Sequence, residues 1–126
     1  IFTCSIHSES NFPFEKKQGW MDIGLPAGTK DKAYLDTLSQ TLDSIQSSLT
    51  PDLFLFDAGI DVYSDDGLGN LELSIEGIRK RDQLVFQHFR GRGIPVATVI
   101  GGGYSQDRQE LASRHGLIFE SAINYL

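Results

Sequence analysis

Apolar strand-like runs alternate along this chain with three stripes of helical period, and no other feature narrows the possible folds as much. From Asp31 onward Leu35, Leu38, Leu42, Ile45 and Leu49 recur at spacings of three and four, so they share one helical face, and Thr50-Pro51 ends the pattern. "DLFLFDAGI" follows, continuously apolar, as expected of a strand covered on both sides in a parallel sheet. Ser74 can cap a second helix, with Ile75, Ile78, Asp82, Val85 and Phe89 as its stripe and "GRG" as its stop. Pro95 opens the run "PVATVI". Ser105 can then cap a third helix whose inner stripe is Leu111, His115, Ile118, Ala122 and Tyr125. Upstream, "IFTCSI" and "MDIGLP" read as strands separated by a polar, aromatic-studded loop from Ser8 to Gly19.

Strands and helices in alternation with short connections predict a single α/β domain over residues 1–126 with a mostly parallel sheet. Ligands in such folds bind outside the carboxyl ends of the strands. Those ends carry "SIHS", "DAGIDVY" and "GGGYSQD", which bring His7, Asp61 and Tyr104 toward one edge of the sheet.

Composition excludes several classes of function. With 126 residues the chain can bury a real core, and no apolar run approaches the roughly 18 residues of a membrane span. A net charge of −6, with no basic cluster longer than Arg79 to Arg81, argues against a nucleic-acid partner. Cys4 is the only cysteine, so neither an internal disulfide framework nor a cysteine-rich zinc site can form, which fits a reducing, cytoplasmic setting. In its apolar run Cys4 reads as a small buried hydrophobe. The chain opens on Ile in strand-like sequence, with nothing resembling a signal peptide, as if its beginning were missing.

The candidate residues each have a plain reading beside a chemical one. Asp61 is a carboxylate at a strand's C-terminal edge, fit for a loop cap or for metal or catalytic work. Asp57, four residues earlier, reads as structural, and Asp65 and Asp66 as solvated turn residues. The glycines of "GGGY" either let a ligand approach the backbone closely or supply a turn with φ > 0, and Tyr104 behind them is a packing residue or a displayed phenol donor. An anion cradle at "GGGYSQD" is a further reading, weakened by the lack of a P-loop lysine or a full G-x-G-x-x-G. His7 is a ligand, a base or a hydrogen-bonded structural group. His115 reads as a satisfied core histidine, His88 as solvated, and Phe12, Pro13, Phe14 and Trp20 as a lid or slot wall beside His7.

Several stretches together resemble the C-terminal part of the histone deacetylase superfamily: "SIHSESNFPF", "LPAGTKDKAYL", "PDLFLFDAGIDVYSDDGLGNLELS", "GIRKRDQLVF" and "IPVATVIGGGYS". They occur in the family's order over nearly the whole chain and are most similar to bacterial and class IV-like members. The resemblance implies a three-layer, arginase-like α/β fold with helices on both faces of the sheet, of which this chain would be the C-terminal half. It implies a zinc-dependent hydrolase that cleaves the amide of acetylated lysines or amines, with a tyrosine donating to the developing oxyanion. Through "AGID" it makes Asp61 a zinc ligand, and through "GGGY" it makes Tyr104 the oxyanion donor, with Gly101, Gly102 and Gly103 giving the substrate close access. "SIH" implies Ser5 and Ile6 at a structural monovalent cation such as potassium, "NFP" places Phe12 on a wall of the acyl-lysine tunnel, and "LG" places Leu68 on its rim. His7 and Asp57 would support the site from behind.

The family's other two zinc ligands and its paired histidines lie upstream, in the half that contains its D-x-H-x-G-N-G-type motif, and none of these residues is in this chain; Gly67 stands where related sequences often have Arg. Zinc held by one carboxylate is weak, because a site needs about three protein ligands. The isolated chain is therefore expected to be inactive and to expose apolar surface suited to pairing with another copy. A non-catalytic remnant or binding module that keeps the fold is the competing expectation.

Overall fold

The computed structural model describes residues 1–126. Four short strands and three helices follow one another as β1 (Cys4–Ser8), β2 (Met21–Leu25), α1 (Asp31–Ser48), β3 (Phe54–Asp57), α2 (Ile75–Arg90), β4 (Val96–Val99) and α3 (Arg108–Ile123). The strands form two separate parallel pairs. β1 lies against β2 with Ile6 opposite Ile23, and β3 against β4 with Phe56 opposite Thr98.

Both pairs rest on one hydrophobic core. Tyr34, Leu38, Leu42 and Ile45 of α1 meet Ile78, Val85 and Phe89 of α2, with Ile6 and Ile23 of the first strand pair and Phe54 and Phe56 of β3 packed against them. The Phe54 and Phe89 rings stack with centroids 3.8 Å apart. A smaller cluster of Ala58, Phe86 and Ile118 attaches α3. Asp31 joins the starts of two helices, accepting from both the backbone N–H and the hydroxyl of Ser74, while that hydroxyl caps α2 by accepting from Gly77 N–H. Gly93, at φ 74°, turns the chain from α2 toward β4 in a conformation that β-carbon sterics deny to most residues.

The α/β class with parallel strands is as the sequence implies, but several local expectations fail for physical reasons. The run at 53–61 is not a strand covered on both sides: only Phe54–Asp57 is extended, and Leu55 is 69% exposed. Helices cover the Phe54 and Phe56 side alone, so the opposite side of β3 is open. Cys4 is exposed rather than buried, because β1 has no neighbour beyond β2 to cover it. Partial burial of the thiol, then the negative charge of Asp22, pushes it above the ordinary value. α3 is capped by Asp107, which accepts from Gln109 N–H and Glu110 N–H, instead of by Ser105. A carboxylate one residue before the helix outcompetes a hydroxyl placed three residues before it. The buried stripe of α3 is Arg114, Leu117, Ile118 and Ser121, rotated from the expected one.

Candidate functional site

The C-terminal ends of β1 and β3 open onto a cavity of about 380 Å³, whose lining includes Ser5, Ile6, His7, Phe12, Asp57, Asp61 and Gly102. Seven residues singled out from sequence therefore share one space, delivered by three separated segments. Tyr104, Leu68, Gly101 and Gly103 do not line it. Tyr104 is 48% exposed, and Phe12, although it borders the cavity, is 79% exposed.

Asp61 reaches the cavity through the turn that follows β3. Ala58 N–H donates to Val99 O at 3.0 Å and Ile60 N–H to Gly102 O at 2.6 Å, which extends the β3–β4 pairing past both strand ends and fixes the turn. Burial, reinforced by the negative charge of Asp66, raises the Asp61 carboxyl above the ordinary carboxylate value; Asp57 adds to the rise, while Asp61's own backbone N–H and Arg81 oppose it.

The glycines after β4 serve close packing. None of Gly101, Gly102 and Gly103 has positive φ, so the left-handed-turn reading is overturned. A β-carbon on Gly101 would overlap the Asp57 carboxylate, and one on Gly102 the Asp61 carboxylate. The two acids occupy the space that a β-carbon would need, which only residues without side chains permit.

Arg81 lies under this turn. It is 3% exposed, donates to Gly59 O and Ala58 O, and pairs with Asp82, whose Oδ1 accepts from its Nε at 2.8 Å. Its guanidinium also stands 5.6 Å over the Phe56 ring. In sequence Arg81 stands out only as the end of the longest basic cluster, "RKR". The signal that could have found Arg81 is its adjacency to Asp82 on an otherwise apolar stripe, a pattern suited to a buried ion pair.

Asp66 is likewise not a solvated turn residue. Its Oδ1 accepts from Leu68 N–H and Gly69 N–H, and its Oδ2 from Tyr104 N–H at 2.7 Å. Gly67 N–H returns a bond to Tyr104 O. Asp followed closely by Gly is the visible mark of such a side-chain-capped turn.

In the loop after β1, Lys16 Nζ donates to the carbonyls of Glu9, Asn11 and Pro13 at 3.1, 2.8 and 3.0 Å, which gathers the segment that carries Phe12. No local sequence pattern marks that role. His7 Nδ1 and the Ser5 hydroxyl are 2.8 Å apart. His88 and His115 differ from expectation: His88 Nε2 and His115 Nδ1 are buried without a partner, so the former is not solvated and the latter is not fully satisfied.

No group of three or more His, Cys, Asp or Glu side chains gathers at metal-binding distance anywhere in the chain. Zinc, implied by the resemblance above, takes three protein ligands even at an open catalytic site. The residues present therefore do not by themselves fit a resident zinc ion; they offer the single carboxylate of Asp61.

Residues 1–117 match the histone deacetylase domain family. The chain belongs to this family. Among similar proteins, an uncharacterized protein of Picosynechococcus sp. is 41% identical over 122 residues, and histone deacetylase 2 of Arabidopsis thaliana is 30% identical over 128 residues. These alignments cover 97% and 94% of this chain but 41% and 33% of the relatives, so the chain spans well under half the length of either. A crystal structure of an HDAC homolog complexed with SAHA superposes with a TM-score of 0.74 at 28% identity, over 94% of this chain and 34% of that one. Acetylpolyamine aminohydrolase from Burkholderia pseudomallei shares the fold, with a TM-score of 0.73 at 21% identity over 94% of this chain and 36% of that one. No helix is long and apolar enough to cross a membrane.

Proposed function

We propose that this chain is the part of a zinc-dependent deacylase that supplies one metal-ligating carboxylate and one oxyanion donor for hydrolysis of the amide in acetylated lysines or amines. The observation that carries this reading is the packing of the Asp61 carboxylate against Gly102 at a cavity on the strand ends, in a histone deacetylase family chain. Asp61 would contribute one of the ligands of the metal, and the remaining ligands and the proton-handling histidines would come from residues this chain does not contain. Tyr104 is the group that would hydrogen-bond the carbonyl oxygen as it gains charge, held by its backbone between Asp66 and Gly67. Phe12 would wall the channel for the acyl-lysine and Leu68 would border its mouth, with Asn11 Nδ2 donating to Leu68 O across the two loops at 3.2 Å. Ser5 and Ile6 would hold a structural monovalent cation such as potassium, and His7 and Asp57 would support the site from behind.

A non-catalytic remnant is the second reading, favoured by the position of Tyr104 outside the cavity lining and by the single available ligand. The two separate in a chimera in which this chain replaces the matched segment of the Picosynechococcus relative. Assayed with zinc on acetyl-lysine peptides and acetylated polyamines, the chimera is expected to hydrolyse one class and to lose that activity in Asp61→Ala and Tyr104→Phe. A folded chimera that hydrolyses neither supports the remnant. The isolated 126-residue chain is expected to be inactive, and turnover by it would overturn the assignment of the missing ligands.

A further inference from the structure

Phe12 and Leu68 are large apolar side chains that the core does not hold. They are 79% and 63% exposed, and neither belongs to a hydrophobic cluster or packs against one. Side chains placed this way on loops keep one position only where polar bonds fix the backbone beneath them. Two residues supply those bonds. Lys16 directs all three of its ammonium donors at carbonyls, those of Glu9, Asn11 and Pro13, which bracket Phe12. Asn11 uses both ends of its amide: Oδ1 accepts from Phe12 N–H at 2.8 Å, and Nδ2 donates to Leu68 O at 3.2 Å, across 57 residues of sequence. Leu68 N–H in turn donates to Asp66 at 2.9 Å. The loop after β1 and the loop after β3 are thus joined through one amide, itself held from behind by Lys16.

We propose that Asn11, supported by Lys16, is a positioning residue that locks Phe12 and Leu68 into one unit and so sets the breadth of the channel through which the acylated chain enters. The channel itself rests on the deacylase reading above; the coupling of the two loops does not. Phe12 and Leu68 would meet the aliphatic part of the substrate, which is the same in the ground state and the transition state, so their placement bears on binding and not on the chemical step. The reacting carbonyl would lie at Asp61 and Tyr104, and Tyr104 takes its position from Asp66 through a bond that a change at Asn11 leaves in place. Loss of the bond from Asn11 to Leu68 should therefore raise KM and spare kcat. Asn11→Asp is the informative substitution, because it keeps an oxygen for Phe12 N–H and removes the donor to Leu68 O.

Two readouts separate the coupling from the function. In the 126-residue chain, amide exchange followed by NMR reports on the coupling. Asn11→Asp should leave Phe12 N–H as protected as before and speed exchange at Leu68 and Gly69 by about 3- to 10-fold, the order of one lost hydrogen bond, although their own acceptor Asp66 is untouched. Asn11→Ala and Lys16→Met should each speed all three amides, whereas Lys17→Met, at the neighbouring exposed lysine, should change none. In the Picosynechococcus chimera, Asn11→Asp and Lys16→Met should each raise KM for an acetyl-lysine peptide or an acetylated polyamine by about 3- to 10-fold with kcat within about twofold. The double variant should go no further than the larger single effect, since both residues act on one latch. Unchanged exchange at Leu68 and Gly69 in Asn11→Ala, beside an active chimera, overturns the latch alone. A fall in kcat at unchanged KM, or additive effects in the double variant, also overturns it. A folded chimera that hydrolyses neither substrate class refutes the deacylase reading and, with it, the role of the latch in a channel, even where exchange shows the two loops coupled.

Discussion

Asp66 and Tyr104 are 38 residues apart in sequence and joined by a direct bond: the Asp66 carboxylate accepts the Tyr104 backbone N–H at 2.7 Å, while its other oxygen accepts from Leu68 and Gly69. One side chain thus ties the acidic loop after β3 to the glycine turn after β4. Asp66→Ala should cost about 1–3 kcal/mol by urea denaturation, because charge-assisted bonds to backbone N–H groups are lost. Asp66→Asn should keep the Leu68 and Gly69 bonds and release Tyr104, so in that variant the Tyr104 amide alone should exchange faster.

The packing of acids against glycines makes an equally direct prediction. Gly102→Ala should displace the Asp61 carboxylate and destabilise the fold by about 1–3 kcal/mol, the usual cost of forcing a methyl into filled space. Gly116→Ala in α3 is the contrasting substitution, because nothing lies within 4 Å of the added carbon. It should stabilise by about 0.5–1 kcal/mol through the better helix propensity of alanine. Thermal unfolding of the two variants, moving in opposite directions, checks both statements.

Arg81 and Asp82 are both buried, and they neutralise each other. Arg81→Met leaves a buried carboxylate unpaired and frees the carbonyls of Ala58 and Gly59, so it should cost about 3–5 kcal/mol. The double variant Arg81→Met with Asp82→Leu should be more stable than Arg81→Met alone, since the orphaned charge is gone. Equal or greater destabilisation in the double variant would show that Arg81 acts through the turn and not through its pairing.

His88 should make stability depend on pH in the weakly acidic range. Burial, and then the nearby Arg92 charge, hold its imidazole below the ordinary value of 6.5, with Asp43 and the Leu42 backbone opposing. The unfolded chain therefore binds a proton more readily than the folded one, and the equilibrium shifts toward unfolding as protons are added. The contribution of His88 is fully present above pH 6.5 and is lost as pH falls through the lower folded value. Urea midpoints should drop between pH 7.5 and 5.5, and His88→Asn should reduce that drop.

The elements and their order were legible because they rest on local pattern: the three-and-four spacing of Leu38, Leu42 and Ile45, the Ser74 cap, and the strand-like runs at Ile6, Ile23, Phe56 and Val96 all appear where expected. Of the expected convergence of His7, Asp61 and Tyr104, the first two share the cavity at the strand ends, as parallel strands ending at one edge imply, while Tyr104 stands outside its lining. Arg81, Asp66 and Lys16 were not legible in the same way. Each acts on backbone carbonyls or N–H groups distant in sequence or in a loop without periodicity, and a polar side chain does not announce which backbone it will reach.

Sequence by itself therefore determined the α/β class, the inner faces of α1 and α2 and the identity of the residues at the strand ends, since these depend on periodicity and on which side chains avoid water. Tertiary structure decided burial and partnership. It exposed Cys4 and Leu55, because no layer covers their side of the sheet, and it buried Arg81, because Asp82 and two carbonyls replace the water that its charge gives up.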